Sequence, residues 1–206
     1  EPPIHAADSQ SEPLKPQPES RSSPTPSDAK AKSLILNNAQ IQWVLGIAKT
    51  MICKEHNVKE TFYTCSLKLL YQGSHDGYKP TAFHKCCDNR GPTITVIRTK
   101  ENEIIGGYNP ISWDKTLERF THTPYSFLFA VKSSGNVVSF CQKPATAVRH
   151  GPNYGPTFGS DLVVLGGFTG PINSTYQHAY DKPIRDSIEM FAVREIEVFQ
   201  VTFCST

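Results

Sequence analysis

The sequence predicts an α+β domain, built as a twisted antiparallel β-sandwich that is flanked by helices and preceded by a disordered tail. Runs of β-branched and aromatic residues recur from residue 93 to the C-terminus, with short turns between them. Helical patterns precede most of these runs, and this segregation is typical of an antiparallel sheet covered by helices. The first 33 residues hold seven of the sixteen prolines and no aromatic residue.

The segment 1–33 lacks the apolar surface that would compensate for the entropy lost on ordering. We therefore predict a disordered Pro/Ser-rich linker over residues 1–33 and one folded domain over residues 34–206. A linker of this kind suggests a further domain upstream. A plain N-terminal tail or an expression remnant is an equal alternative.

The composition argues against several classes of function. A formal net charge of +2 lacks the basic excess of a nucleic-acid-binding protein. No apolar run reaches the roughly 18 residues of a membrane span. The six cysteines are irregularly spaced, which favours reduced thiols in a cytoplasmic protein over a disulfide framework. We expect neither nucleic-acid binding nor membrane insertion.

Two helices precede the predicted sheet. The first follows apolar positions at helical spacing, beginning after an N-cap at Asn37 or Asn38. Its apolar positions are Ile41, Val44, Leu45, Ala48, Met51 and Ile52. The second begins at Pro80, a residue suited to the first helical turn, and ends near residues 89–91. Between them, residues 67–71 are typical of a strand.

The remaining elements are predicted strands. Residues 93–99 form one strand and residues 103–108 return beside it, whereas residues 126–140 form a hairpin around Ser134-Gly135-Asn136. Residues 161–168 form another apolar run. In the last strand, residues 191–203, the apolar phase shifts from odd to even positions and back. Such a shift predicts a bulge, a strong twist, or burial on both faces.

Two glycine-containing segments raise the question of a ligand cradle. Gly106-Gly107 is followed by Tyr-Asn-Pro and not by a helix, so it cannot present the amides that bind a phosphate. We interpret the pair as a place where a strand bends or another element approaches closely. The loop 151–161 carries prolines and lacks the P-loop ending. We expect it to hold Tyr154 and Phe158 against either the core or a partner.

The pentapeptide HKCCD, residues 84–88, is the segment that most suggests chemistry. Its adjacent cysteines lack the spacing of a zinc site. They also fall at the C-terminal end of a predicted helix, where the dipole disfavours a thiolate. We therefore predict no catalytic residue, no cofactor and no metal site, and we expect one cysteine to be buried and the other to be at the surface. The candidate partner surfaces are the helix over residues 38–53 and the loop 151–161, with Tyr154, Phe158 and Asp161 as its candidate residues.

The order of segments from about residue 38 to residue 203 resembles the TLDc domain family. The resemblance is carried by a combination of motifs and not by one of them. These are Leu69-Leu70-Tyr71, Asp76-Gly77, Phe83, Gly91-Pro92-Thr93, Gly106-Gly107, Trp113, Ser126-Phe127-Leu128-Phe129 and Glu197-Val198-Phe199. The family's fold is a twisted antiparallel β-sandwich flanked by helices, in agreement with the pattern of elements.

The resemblance implies a non-catalytic protein-interaction module. Its implied role is protection against oxidative stress, regulation of the vacuolar proton-pumping ATPase, or both, with the possibility of peripheral attachment at vacuolar or endosomal membranes. Pro124-Tyr125 stands where a Glu is usual in the oxidation-resistance branch, and Phe199 replaces a usual Trp. In these respects the chain is more similar to fungal TLDc domains linked to a BTB region.

Two other functions remain as alternatives. The chain could be the C-terminal recognition domain of a BTB-type ubiquitin-ligase adaptor, with the tail as its linker and a ligase scaffold as its partner. It could instead be a thiol enzyme that consumes peroxide through Cys86 or Cys87.

Overall fold

The computed structural model describes residues 33–168, 171–172, 179–187 and 190–205. It shows two antiparallel sheets with helices, which confirms the predicted α+β class. The predicted disordered linker lies outside the described residues except for Ser33. That serine is buried, and its hydroxyl donates a hydrogen bond of 2.5 Å to the carboxylate of Glu197.

The helices are α1, Asn38–His56, α2, Gly73–Asp76, and α3, Pro80–Cys87. The N-cap of α1 is Asn37, which forms a reciprocal capping box with Gln40. At the other end Asn57 adopts the left-handed conformation with φ of 52° and closes the last turn. Short 3₁₀ turns span Glu60–Phe62 and Pro144–Thr146. The predicted helices at residues 38–53 and from Pro80 are thus confirmed.

The larger sheet has the strand order β1-β11-β2-β3-β5-β6, and β10 also pairs with β11. Every one of these pairs is antiparallel. The strands are β1, Tyr63–Gln72, β2, Thr93–Thr99, β3, Ile104–Asn109, β5, Phe127–Val131, β6, Val137–Phe140, β10, Pro171–Ile172, and β11, Phe191–Ser205. These bounds confirm the predicted strands and the hairpin around Gly135.

The smaller sheet has the order β4-β7-β8-β9 and is also antiparallel. Its strands are β4, Phe120–Thr121, β7, Val148–Arg149, β8, Tyr154–Phe158, and β9, Leu162–Leu165. Strand β8 occupies the middle of the loop predicted at residues 151–161. The glycine-proline step at residues 155–156 within this strand, and a second one at residues 151–152 before it, did not resemble a strand in the sequence, because a proline cannot donate to a ladder.

Two apolar clusters cover the two faces of the larger sheet. One lies between the sheets and joins Ile97 and Leu128 of the larger sheet to Phe158 and Leu162 of the smaller one. The other packs helix α1 against the opposite face, where Val44 and Ala48 meet strand residues including Phe129. Because both faces are covered, consecutive residues of β2 and β5 are buried, and burial in these strands does not alternate.

The phase shift predicted in the last strand corresponds to irregular pairing. The register between β11 and β2 shifts between Val193 and Glu195, and the register between β1 and β11 shifts between Leu69 and Tyr71. Beyond the shift, Ile196, Val198 and Phe199 are all buried. The bulge and the double-sided burial therefore both occur, as the pattern indicated.

Gly106 and Gly107 lie in the middle of β3 and face opposite clusters. A Cβ on Gly106 would meet the Thr95 carbonyl oxygen and the Phe129 ring, the latter at 2.5 Å. A Cβ on Gly107 would lie 2.7 Å from the ring of Phe158, across the space between the sheets. The pair therefore allows two close approaches, which confirms the interpretation that other elements approach closely at this place in the strand.

We predict that Gly107→Val destabilises the domain by about 1–3 kcal/mol, because the added side chain overlaps the buried Phe158 ring. The matched control is Gly46→Val on the exposed face of α1, where no atom lies within 4 Å of an added Cβ. Thermal unfolding followed by circular dichroism compares the two variants. An unchanged melting temperature for Gly107→Val would contradict the packing role.

Candidate partner-binding surface

Helix α3 holds the start of β8 through one buried histidine. The Nε2 atom of His84 lies 3.0 Å from the carbonyl oxygen of Gly151 and 2.9 Å from that of Tyr154. Its Nδ1 atom lies 2.7 Å from the Oδ1 atom of Asp88, one helical turn further on. The side chain of His84 is only 4% exposed. The imidazole therefore ties the segment 151–154 to the helix that carries HKCCD.

The same segment is supported from its other side by an arginine. The guanidinium carbon of Arg149 lies 4.5 Å from the centre of the Tyr154 ring and 5.1 Å from that of the Phe120 ring. Arg149 and Phe120 are directly opposed in the pairing of β4 with β7. We call these three side chains, Phe120, Arg149 and Tyr154, the cation–aromatic stack.

The stack lies on the outer face of the smaller sheet. Val148 and His150, on either side of Arg149, are buried, whereas Arg149 itself is half-buried. Successive side chains of a strand point to opposite faces, so Arg149 projects away from the core. Phe120 and Tyr154 are half-buried as well. Pro152 and Asn153, which directly precede Tyr154, are exposed. This face therefore presents aromatic and charged groups to solvent.

His150 lies behind the stack and is buried. Its Nδ1 atom accepts a hydrogen bond of 3.1 Å from the backbone N–H of Asp114. Its Nε2 atom is buried without a hydrogen-bond partner among the described residues. Burial lowers the pKa of His150, and the carboxylates of Asp114 and Asp88 oppose that shift, whereas His84 and Arg119 reinforce it.

The three predicted surface residues do not share one environment. Tyr154 is half-buried and contributes to the stack. Phe158 is 0% exposed and packs between the sheets, and Asp161 is 3% exposed and accepts a hydrogen bond of 2.7 Å from the Ala179 N–H. For Phe158 and Asp161 the expected surface position is therefore wrong. The physical reason for Phe158 is that β8 is buried at every residue from Gly155 to Phe158, and the reason for Asp161 is that its carboxylate accepts a hydrogen bond in the interior from the Ala179 N–H.

Neither Arg149 nor Phe120 was identifiable from the sequence as a candidate site residue. His84 was notable only because it lies beside the cysteines of HKCCD. A signal was present for Arg149, since it stands between Val148 and His150 in a segment of strand-like spacing. Phe120 gave no signal, because β4 has only two residues and no apolar alternation.

The cysteines are placed as the sequence predicted for the pair in α3. Cys87 is fully buried and Cys86 is half-buried. Burial raises the pKa of both thiols, with a further rise at Cys87 from neighbouring Cys86 and Asp88. Burial also raises the pKa of Cys65 and of Cys141, each to about 11. These four thiols are therefore protonated at neutral pH, which makes them poor nucleophiles.

A second candidate surface is the groove between the start of α1 and β1. It has a volume of about 750 Å³ and is lined by Leu36, Ile41, Leu45, Cys65 and Leu67, among others. In the described ranges, no three His, Cys, Asp or Glu side chains are grouped so that they could hold a metal ion. Among the helices described, none is both long enough and apolar enough to span a membrane.

The chain is an α+β domain of two packed sheets with a covering helix. Its cation–aromatic stack lies on the outer face of the smaller sheet. The sequence matches the family model of the TLDc domain over residues 30–202, and the chain belongs to that family. A search among curated proteins found no significant match.

We predict that His84→Ala lowers the free energy of unfolding by about 2–4 kcal/mol. The substitution removes a buried ring, leaves two carbonyl groups without their donor, and leaves the Asp88 carboxylate without its partner. The control is His75→Ala, which removes a surface histidine next to an aspartate and should leave stability nearly unchanged. Urea denaturation measures both, and equal losses in the two variants would refute the role of His84.

We also predict that stability decreases as the pH falls below about 6.5, in part because of His150. The folded state holds the pKa of His150 below its unfolded value, so the unfolded state binds more protons in this window. The contribution is fully present above the unfolded pKa and is lost as the pH falls toward the folded pKa. His150→Asn keeps an acceptor for the Asp114 N–H but cannot titrate. Urea denaturation at about pH 7 and about pH 5.5 should show a smaller loss in this variant than in the wild type.

Proposed function

We propose that this chain is a protein-interaction module of the TLDc family that acts in oxidative-stress protection through a partner, with the vacuolar proton-pumping ATPase as the leading candidate. Family membership supports the non-catalytic reading, because TLDc domains are generally non-catalytic. The proposed contact surface consists of the exposed residues of the segment 151–154 together with the half-buried ring of Tyr154.

The observation that carries this surface is the double support of the segment 151–154. The imidazole of His84 binds the carbonyl oxygens of Gly151 and Tyr154, and the guanidinium of Arg149 stacks on the Tyr154 ring. A surface that is already ordered loses less conformational entropy on binding, so a larger share of the contact energy appears as affinity. The groove beside α1, whose edge is held by the hydrogen bonds of Ser33 and by the Asn37–Gln40 capping box, is the second candidate surface.

Neither alternative function gains support of this kind. A peroxide-consuming thiol needs a low pKa and access to solvent, whereas burial raises the pKa of Cys86 and Cys87. The role as a BTB-type ubiquitin-ligase adaptor depends on residues before Glu1 and stays a prediction.

Affinity capture from cell extract tests the proposal, with immunodetection of the peripheral subunits of the proton pump. We expect Asn153→Glu to reduce the recovered subunits by about tenfold, because it adds a charge at the exposed tip of the segment. Gln42→Glu makes the same change in charge on the exposed face of α1 and should leave recovery unchanged.

The reverse pattern, with loss only in Gln42→Glu, would move the contact to the helix. Failure of the wild-type chain to recover any pump subunit would remove the pump as the partner. A peroxide-consumption assay on the purified chain separates the enzymatic alternative, since we expect no turnover.

A further inference from the structure

We propose that the cation–aromatic stack is a carboxylate-binding site that receives the side chain of an acidic segment in the protein partner. This inference rests on the proposed interaction function and names the chemistry of the partner. It assigns the recognition to the guanidinium of Arg149, held between the rings of Phe120 and Tyr154.

The first argument is that Arg149 lacks a counter-ion. None of the four ion pairs in the described part of the chain includes it. Its side chain also makes no hydrogen bond to any described residue. A charge placed between two aromatic rings is partly desolvated, and such a charge gains more from an incoming opposite charge than a fully hydrated one does.

The second argument concerns the three nitrogen atoms of the guanidinium. The Nε atom is buried without a hydrogen-bond partner, the side chain as a whole is half-buried, and the two terminal nitrogens make no hydrogen bond to a described residue. Two parallel N–H groups on a planar fork match the two oxygens of a carboxylate. The two terminal nitrogens of Arg149, which would make a bidentate contact, are therefore available to a carboxylate.

The third argument is that the stack is held in place before any partner arrives. His84 binds the carbonyl oxygen of Tyr154 at 2.9 Å, which fixes the backbone beneath the ring. Gly151 has φ of +147°, and a Cβ there would lie 3.1 Å from the Tyr154 ring. A side chain at residue 151 would crowd the Tyr154 ring and would have to adopt a φ that favours glycine, so Gly151 helps to keep the ring in its position.

The charge around the stack also bears on the choice of ligand. Arg119, which precedes Phe120, is exposed and adds positive charge next to the stack. Glu118 approaches from the other side, with its Cα 3.7 Å from where a Cβ on Gly151 would stand. Its carboxylate forms no ion pair with Arg149 in the described structure, so it is a nearby competitor and not the occupant. A singly charged carboxylate tolerates this neighbour better than a doubly charged phosphate does.

The experiment is a titration of the ¹⁵N-labelled chain with a hexaglutamate peptide, observed through the Nε–H signal of Arg149. This proton is shielded from solvent, so its signal is suited to observation. We expect a saturable shift at Arg149 that weakens as salt is added. Hexalysine should produce no shift there, and Glu118→Gln should bind hexaglutamate more tightly.

Three variants separate recognition from general charge, with binding measured by the quenching of a fluorescent label on the peptide. Arg149→Ala should weaken hexaglutamate binding by about tenfold. Arg149→Lys keeps the charge but loses the planar fork, and should weaken binding by about threefold or more. Arg194→Ala removes an exposed arginine on β11, bound to Asn102, and should leave the affinity unchanged. Melting temperatures confirm that each variant is folded.

Equal losses in Arg149→Ala and Arg194→Ala would overturn the proposal, since they would indicate attraction by net charge alone. Full affinity in Arg149→Lys would overturn it in the same way. Saturation by inorganic phosphate at a lower concentration than hexaglutamate would replace the carboxylate with a phosphate ligand. If hexaglutamate does not bind while pump capture still depends on Asn153, the inference fails and the proposed function stands. If hexaglutamate binds but no pump subunit is captured, the inference stands and the proposed function fails.

Discussion

The close contact between Gly107 and Phe158 is the constraint on which the relation between the two sheets depends. A phenyl ring from the smaller sheet rests against backbone in the centre of the larger one, at a place where only glycine leaves room for it. This contact sets where β8 lies. Because β8 begins at Tyr154, it also sets where the outward-facing segment 151–154 emerges. The core thereby determines the position of the surface that we propose as functional.

A second set of contacts passes from the core to that surface through α3. Phe83 is buried in the cluster between the sheets and packs edge-on against Trp113, with ring centres 5.5 Å apart. The next residue, His84, leaves the apolar cluster and binds the carbonyl groups of the segment 151–154. A helix of eight residues thus anchors itself with one side chain and positions a loop with the adjacent one. This structural task explains the histidine and the aspartate of the HKCCD motif.

The arginine in the stack has the opposite character. The carboxylate of Glu197, which is buried in the core, has its own partners, since Ser33 and Leu34 donate hydrogen bonds to its two oxygens. Arg149 instead keeps two nitrogens free of any partner in the described structure while two rings hold it in place. Holding an arginine between two rings without an acceptor from the described residues adds little to the stability of the fold, because ordering a side chain costs entropy. Such an arrangement is more easily explained by a ligand than by stability.

The sequence by itself determined helices α1 and α3, the main strands of the larger sheet and the packing role of Gly106-Gly107, but not strands β4 and β8. These follow from local periodicity, caps and turn residues, which depend on neighbours within a few positions. Only the tertiary structure decided that Phe158 and Asp161 are buried while Tyr154 is partly exposed. The apolar periodicity of a strand distinguishes its two faces. It does not indicate whether another layer covers one of these faces or both. The stack likewise joins residues from three strands, and no local pattern can indicate that Phe120 and Tyr154 enclose Arg149, because their proximity arises from the pairing of β4, β7 and β8.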